Sequence, residues 1–286
     1  SMEEITKKKL QAIACKVRMG VIEGTYCAKS GHPGGSLSIS DLLTYLYFAK
    51  MHIDPKQPEM ADRDRLVLSK GHCAPALYAT LAQRGFFPQE ELQSLRHIGA
   101  MLQGHPCIHT PGIDMSSGSL GQGISVACGM ALAGKLDNAA YKVYTILGDG
   151  EIEEGQVWEA AMFASHYHLD NLLAIVDYNG LQIDGQLSEV CSPEPIPEKF
   201  AAFGWHVIQM DAHDFDDIER AFDEAEKISG KPVAIPTAIV ASRLHPAASA
   251  SFVRQHVENA STCSVHSNER RILFLVPVSG TFLHKN

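Results

Sequence analysis

Two short words in the middle of the chain carry side chains that can hold a cation and a phosphate. Gly148-Asp149-Gly150 offers one carboxylate between two glycines, and Asp177-Tyr178-Asn179-Gly180 offers an amide oxygen at Asn179. With a backbone carbonyl from just past Asn179, these make an incomplete oxygen shell. Mg²⁺ accepts such a shell when the phosphates of a ligand complete it. The Gly150 amide, at the start of a helix, would donate to the same phosphate. Two ordinary strand-to-helix turns with solvated polar residues are the alternative reading of the same local words.

The flanking pattern supplies the elements that would position these groups. Residues 143–147 and 172–176 are short apolar, partly β-branched runs suited to buried strands. Between them Val157, Trp158, Ala161, Met162 and Ser165 recur at helical spacing within 154–168. A strand–helix–strand unit of this length implies parallel neighbours, with both loops at the sheet edge where such folds bind ligands. Further strands are predicted at 65–69, 205–210 and 232–235. Helices are predicted at about 4–28, 124–135 and 215–228, with a short one ending at Phe203.

Three Gly-His words lie at loops. GHPGGSLS (31–38) reads as a loop broken by glycine and proline that aims His32 away from any helix. The next residues, Ser38 to Asp41, read as a capping box that opens a helix through Phe48. Lys70-Gly71-His72 closes the 65–69 strand, with Pro75 starting a helix, and Gly104-His105-Pro106 precedes GSLGQG (118–123). A solvated loop histidine is the ordinary alternative for His32, and plain core or surface histidines for the others in a chain with fourteen. The helix after GSLGQG is rich in small residues (Ala127, Gly129, Ala131, Ala133, Gly134), which suits either a subunit interface or tight packing within the domain.

Composition narrows the classes. At 286 residues the chain could hold one large α/β domain or two small ones. With 45% hydrophobic residues and no apolar run near membrane-spanning length, a soluble, globular protein is expected. A net charge of -9 argues against a nucleic-acid surface. Seven cysteines without a CxxC pair suggest free thiols in a reducing cytoplasm rather than disulfides or zinc. No signal peptide is expected, and Ser1 ahead of Met2 reads as a cloning remnant. GSLGQG lacks the G-x-G-x-x-G spacing and GDGEIE lacks a third glycine, which disfavours a nicotinamide dehydrogenase.

GDG followed, after the 28 residues 151–178, by an asparagine at the next strand end is similar to the fingerprint of thiamine diphosphate enzymes. GSLGQG (118–123), GDGEIEEGQVWEAA (148–161) and VDYNGLQIDG (176–185) resemble the amino-terminal half of transketolase, over roughly residues 8–235. The match is closest to split transketolases, in which each half is a separate chain. The resemblance implies a thiamine diphosphate-binding α/β fold, a three-layer parallel sheet with helices on both faces. It implies thiamine diphosphate and Mg²⁺ (or Ca²⁺) as cofactors, and transfer of a two-carbon ketol unit between ketose and aldose phosphates. Asp149, Asn179 and the Leu181 carbonyl would hold the metal. Gly150 and His72 would meet the diphosphate, and Gly118, Ser119 and Leu120 would lie along the cofactor. His32, His72 and His105 would orient donor hydroxyls and move protons. Glu154 matches a buried interface carboxylate, its alternative being an acid in the first turn of a helix. The family often places a small hydroxyl residue near Gly35, absent here.

The groups that activate the aminopyrimidine and hold the sugar phosphate sit in later domains of that family. The expected partner is therefore a carboxyl-terminal transketolase subunit, with this chain a homodimer inside a heterotetramer. The other readings are a related thiamine enzyme, such as 1-deoxyxylulose-5-phosphate synthase or a 2-oxoacid dehydrogenase subunit, and a non-catalytic partner of the same fold. Words such as VWEAA and NGLQIDG favour transketolase. At Pro236 the text changes character: residues 236–286 lack the expected Lys/Gly-rich loop and histidine. They are set apart as an atypical tail, either disordered or foreign to the fold, behind a cofactor-binding domain at 1–235.

Overall fold

The computed structural model describes residues 2–179, 181–182 and 185–237, with only the backbone described for 181–182 and 185–188. In chain order the elements begin with α1 (Glu4–Ala28), α2 (Pro33–Ser38), α3 (Ser40–Tyr45), β1 (Arg65–Leu68), α4 (Ala74–Arg84) and α5 (Gly123–Leu136). Next come β2 (Val143–Gly148), α6 (Gly155–His166), β3 (Leu172–Asp177), β4 (Leu181–Gln182), β5 (Gly185–Gln186) and α7 (Leu187–Val190). The last are α8 (Ile196–Ala202), β6 (His206–Val207), α9 (Phe215–Ala225) and β7 (Val233–Pro236). The main sheet has the order β1-β2-β3-β7-β6, every pair parallel.

Alternation along the strands builds two cores. Leu66, Leu68, Tyr144, Ile146, Leu173, Ile175, Val233 and Ile235 face one cluster, which includes residues of α1, α3, α4 and α9. Val67, Val143, Leu147, Leu172, Ala174, Val176 and Ala234 face the other, with residues of α5, α6 and α8. Helices therefore cover both faces, and strands buried on both sides read as the continuous apolar runs seen in the sequence. The three-layer parallel α/β fold is as expected.

Several local expectations fail for identifiable reasons. The stretch after His32 is not an open loop: Pro33 starts α2, with His32 as its N-cap residue. Proline has a suitable φ and no N–H to strand at a first helical position. The capping box does not form, and α3 starts at Ser40 without a side-chain cap. Its two polar members are engaged in tertiary contacts. Ser38 Oγ donates to Asp177 Oδ1 at 2.7 Å. Asp41 receives a two-pronged contact from Arg18 (2.8 and 2.9 Å) and lies 3.0 Å from His213 Nδ1. The helical path continues past α3 as a π-turn, Leu46–Lys50. The strand expected at 205–210 shortens to β6 because the Trp205 N–H turns back to Phe200 O; past it, Ile208 and Met210 still donate to Ala234 O and Pro236 O, and Met210 bridges Thr237.

The small-residue helix α5 turns Ala127, Ala131 and Gly134 inward against the domain; a Cβ on Gly134 would meet the Tyr141 ring at 2.8 Å. That face serves packing within the domain, while Gly129 and Ala133 are exposed. Beyond Thr237 the tail set apart above lies outside the described residues.

Candidate functional site

Gly148 pairs in register with Asp177, so Asp149 and Asn179 leave adjoining parallel strands at the same, carboxyl edge. Asp149 is buried, and its Oδ1 accepts the Gly150 N–H at 2.9 Å. The Gly150 amide expected to meet a phosphate is thus turned onto Asp149 in this structure. Asn179 Nδ2 donates to Asp177 Oδ2 at 3.0 Å. With the nitrogen there, the oxygen is the end of this amide that could ligate a cation. One carboxylate and one amide oxygen at a buried sheet edge fit a hard cation whose remaining ligands come from phosphate and water. Among the described residues no group of three or more His, Cys, Asp or Glu could hold a metal ion.

Asp177 anchors this edge. Besides Asn179 and Ser38 it takes Lys70 Nζ at 2.6 Å, and Lys70 also donates to Gly35 O at 3.2 Å. Both partners are almost fully buried, Lys70 at 1% exposure and Asp177 at 2%. Burial opposes both charges. The attraction of Lys70, with the Ser38 and Asn179 donors, nevertheless holds the Asp177 carboxyl below the ordinary range. Likewise Asp177 holds the Lys70 ammonium above its ordinary value in spite of burial. Cys73, packed beside them, is pushed up to about 11 by burial.

The three histidines of the Gly-His words come together. The His32 and His72 rings lie 5.3 Å apart in an edge-to-face arrangement. His72 is lowered to about 4 by burial first, then by Lys70, His32 and His105. His105 is also lowered, by burial and by Arg96 and His32. Tyr78 donates its hydroxyl to His105 O at 2.8 Å, fixing that loop. A neutral imidazole carries both a donor and an acceptor, which suits it to orient sugar hydroxyls and pass a proton between them.

Glycines let the surrounding backbones meet. A Cβ on Gly71 would lie 2.8 Å from Gly118 N, and one on Gly118 would lie 3.1 Å from the His105 ring. Gly118 and Gly121 have φ of +154° and +81°, conformations that side-chain-bearing residues rarely adopt. Ser119 and Leu120 are exposed at the crest of this loop. Glu154 is exposed, at the N-cap position of α6. Leu181 opens β4, and its side chain falls outside the described residues.

Sequence reasoning missed Glu151. Only 3% exposed, it accepts the Ser69 hydroxyl and the Gly121 N–H (2.9 Å) at Oε1, and the Gly148 N–H (2.9 Å) at Oε2. Burial raises its carboxyl, against the pull of these donors. Nothing in GDGEIEEG distinguishes this acid from Glu153 and Glu154; the 3₁₀ turn Glu151–Glu153 turns it inward. Lys70 and Asp177 were missed as a pair, since they stand 107 positions apart and nothing local links them.

The family described as "Transketolase, thiamine diphosphate binding domain" matches residues 9–255. A 6-deoxy-6-sulfo-D-fructose transketolase subunit of Clostridium sp. (strain MSTE9) is 54% identical over 71% of this chain and 74% of that protein. One of the subunits of the apulose-4-phosphate transketolase of Phocaeicola vulgatus is 47% identical, over 76% of this chain and 77% of its own length. Among solved structures, the transketolase of Campylobacter jejuni superposes with a TM-score of 0.78 at 30% identity, over 88% of this chain. The chain spans 42% of that protein and 37% of the Leishmania mexicana transketolase. The chain belongs to the transketolase family of thiamine diphosphate-dependent transferases, and it is an amino-terminal subunit of the split kind. Among the described residues no helix is long and apolar enough to cross a membrane.

Proposed function

We propose that this subunit holds thiamine diphosphate through Mg²⁺ at the β2/β3 edge and, with a separate carboxyl-terminal subunit, transfers a two-carbon ketol unit between sugar phosphates. The observation that carries the reading is the placement of Asp149 and Asn179 on adjoining strand ends, connected through Asp177 and Lys70 to the His32/His72/His105 group. Bound there, thiamine diphosphate supplies the electron-accepting heterocycle needed to break and make a carbon–carbon bond beside a carbonyl. The chain's own residues do the rest. Asp149, Asn179 and the Leu181 carbonyl hold the metal, His72 and the Gly150 amide (once it leaves Asp149 Oδ1) meet the diphosphate, and Gly118, Ser119 and Leu120 line the cofactor. His72, kept neutral by its surroundings, accepts or donates at a sugar hydroxyl without bringing a charge beside Lys70. His32 and His105, nearer solvent, orient the donor's hydroxyls and exchange protons with water.

In this reading residues 1–235 form the cofactor-binding unit. β7 runs on to Pro236 and the family match to residue 255, so the change of text at Pro236 falls inside the matched stretch. The relatives' names speak of subunits, which supports a partner chain here as well. The assembly in this reading is a cytoplasmic heterotetramer built on a homodimer of this chain, with Glu154 at the interface. The exposed Met162, Phe163 and Tyr167 of the α6 region support an interface there. Light scattering of the chain, alone and with its partner, should show at least a dimer; monomers in both samples count against it.

The deciding experiment is calorimetric titration of thiamine diphosphate into the chain plus partner, with and without Mg²⁺. Metal-dependent binding followed by ketol transfer from a ketose phosphate supports the reading. Saturable binding without any transfer would point to a non-catalytic subunit, and turnover of pyruvate instead would point to a related thiamine enzyme.

A further inference from the structure

Beyond the groups assigned to metal, cofactor and sugar, one buried acid gathers three separate segments of the site. Glu151 takes the Ser69 hydroxyl from just past β1, the Gly121 N–H from the loop before α5, and the Gly148 N–H from the end of β2. Ser69 lies 82 positions from it and Gly121 lies 30, so these contacts are tertiary closures rather than a local turn. Among the described residues no Lys, Arg or His forms an ion pair with it, although the nearby Lys70 charge favours its ionised form. Its hydrogen-bond partners are neutral donors from the loops themselves.

The surrounding backbones are tightly set. A Cβ on Gly123 would lie 2.6 Å from Ser69 Cα, and one on Gly121 would lie 2.6 Å from Glu154 Cβ. The carboxylate thus sits where β1, β2 and the 118–123 loop converge with little room to shift. A carboxylate has about four acceptor sites and no donor, so it can hold several N–H and O–H groups that would otherwise repel one another.

We propose that Glu151 is a positioning residue that sets the distance between the 118–123 and 148–150 loops before any ligand arrives. Its two oxygens fix Gly121 and Gly148, and through them the glycine turn at Gly118 and the Asp149 carboxylate. A diphosphate and its cation then meet a preset cradle, and binding need not order the loops. The proposal rests on the metal and diphosphate reading above.

The test uses the full chain and two variants. In Glu151→Gln the side chain keeps its size but one oxygen becomes an NH₂ group, which must face a donor N–H at Gly121 or Gly148. Amide exchange, measured without cofactor, should accelerate at one of these glycines by about tenfold or more while Ile175 in β3 is unchanged. With the partner chain present, the Mg²⁺-dependent dissociation constant for thiamine diphosphate should rise about 10–100-fold, as for supporting residues of metal sites. Ser69→Ala removes one of the three donors and should give a smaller change in the same direction. It carries the test if Glu151→Gln does not fold. Unchanged exchange at both glycines overturns the proposal, as does equal acceleration throughout β3, which marks a fold-wide role. Local acceleration with unchanged affinity overturns it too. If the unaltered chain binds no thiamine diphosphate, the site reading fails instead, and the exchange pattern alone decides whether Glu151 sets the loops.

Discussion

Lys70 Nζ lies 2.6 Å from Asp177 Oδ2, joining the ends of β1 and β3 across the intervening β2. The pair is buried, and its charges are stabilised by a small set of further contacts from Gly35, Ser38 and Asn179. It ties together three segments that carry candidate site residues: the His32 helix, the His72 turn and the Asn179 loop.

Breaking the pair from one side should therefore be costly. Lys70→Met leaves the Asp177 carboxylate without its cation, and removing one partner of a buried pair typically costs about 3–5 kcal/mol. Urea unfolding should show a loss of that order. Adding Asp177→Asn to Lys70→Met should recover part of it, since no buried charge then remains. A single variant as stable as the unaltered chain would show the pair to be solvated in solution.

The His72 imidazole gives a pH dependence with a defined sign. Its folded value is lowered from 6.5 to about 4, chiefly by burial. The unfolded chain therefore binds this proton first as pH falls. The contribution is present in full above about 6.5 and declines as pH drops toward 4. His72→Gln should lose less stability than the unaltered chain between pH 7.5 and pH 4.5 in urea titrations. Parallel losses in the two proteins would contradict the assignment.

Much of this site was legible in the sequence because its parts are local words. Asp149, Asn179, His32 and His72 each sit at an element end that periodicity and glycine placement mark, and His105 sits in a loop marked by Gly104 and Pro106. Parallel pairing of β2 and β3 follows from the length between them, and pairing alone brings Asp149 to Asn179. What stayed hidden is tertiary. Ser38 and Asp41 look like helix caps until Asp177 and Arg18 claim them. Local propensity cannot register a partner 139 positions away. Glu151 is the same case, one acid among three whose inward turn is fixed only once Ser69 and Gly121 are in place.

Close backbone approach makes a third prediction. A Cβ at position 71 would lie 2.8 Å from Gly118 N and 2.9 Å from Ser117 C, both backbone atoms that cannot swing aside. Gly71→Ala should cost about 1–3 kcal/mol, the usual range for overpacking, and weaken cofactor binding by displacing the 118–123 loop. Gly34→Ala is the control: a Cβ there meets nothing within 4 Å, and the position lies inside α2. It should leave stability equal or slightly higher. Equal behaviour of the two variants in thermal unfolding would show that the loop gives way.

The metal reading stands or falls with Asp149. It is the one carboxylate assigned to the cation, buried at 2% exposure, and its Oδ1 also receives the neighbouring Gly150 N–H. Asp149→Ala removes both functions. The cation then has only the neutral oxygens of Asn179 and the Leu181 carbonyl, too little charge to bridge a diphosphate to the protein. Metal-dependent thiamine diphosphate affinity should fall by about 100-fold or more, at or beyond the upper end seen for residues that merely support a metal ligand. The fold should survive, because Asp149 lies past the last paired residue of β2 and the substitution leaves its backbone unchanged. Circular dichroism and urea unfolding check the fold, and calorimetry with and without Mg²⁺ checks the binding. A folded Asp149→Ala chain that binds the cofactor with unchanged metal dependence would move the cation away from the β2/β3 edge.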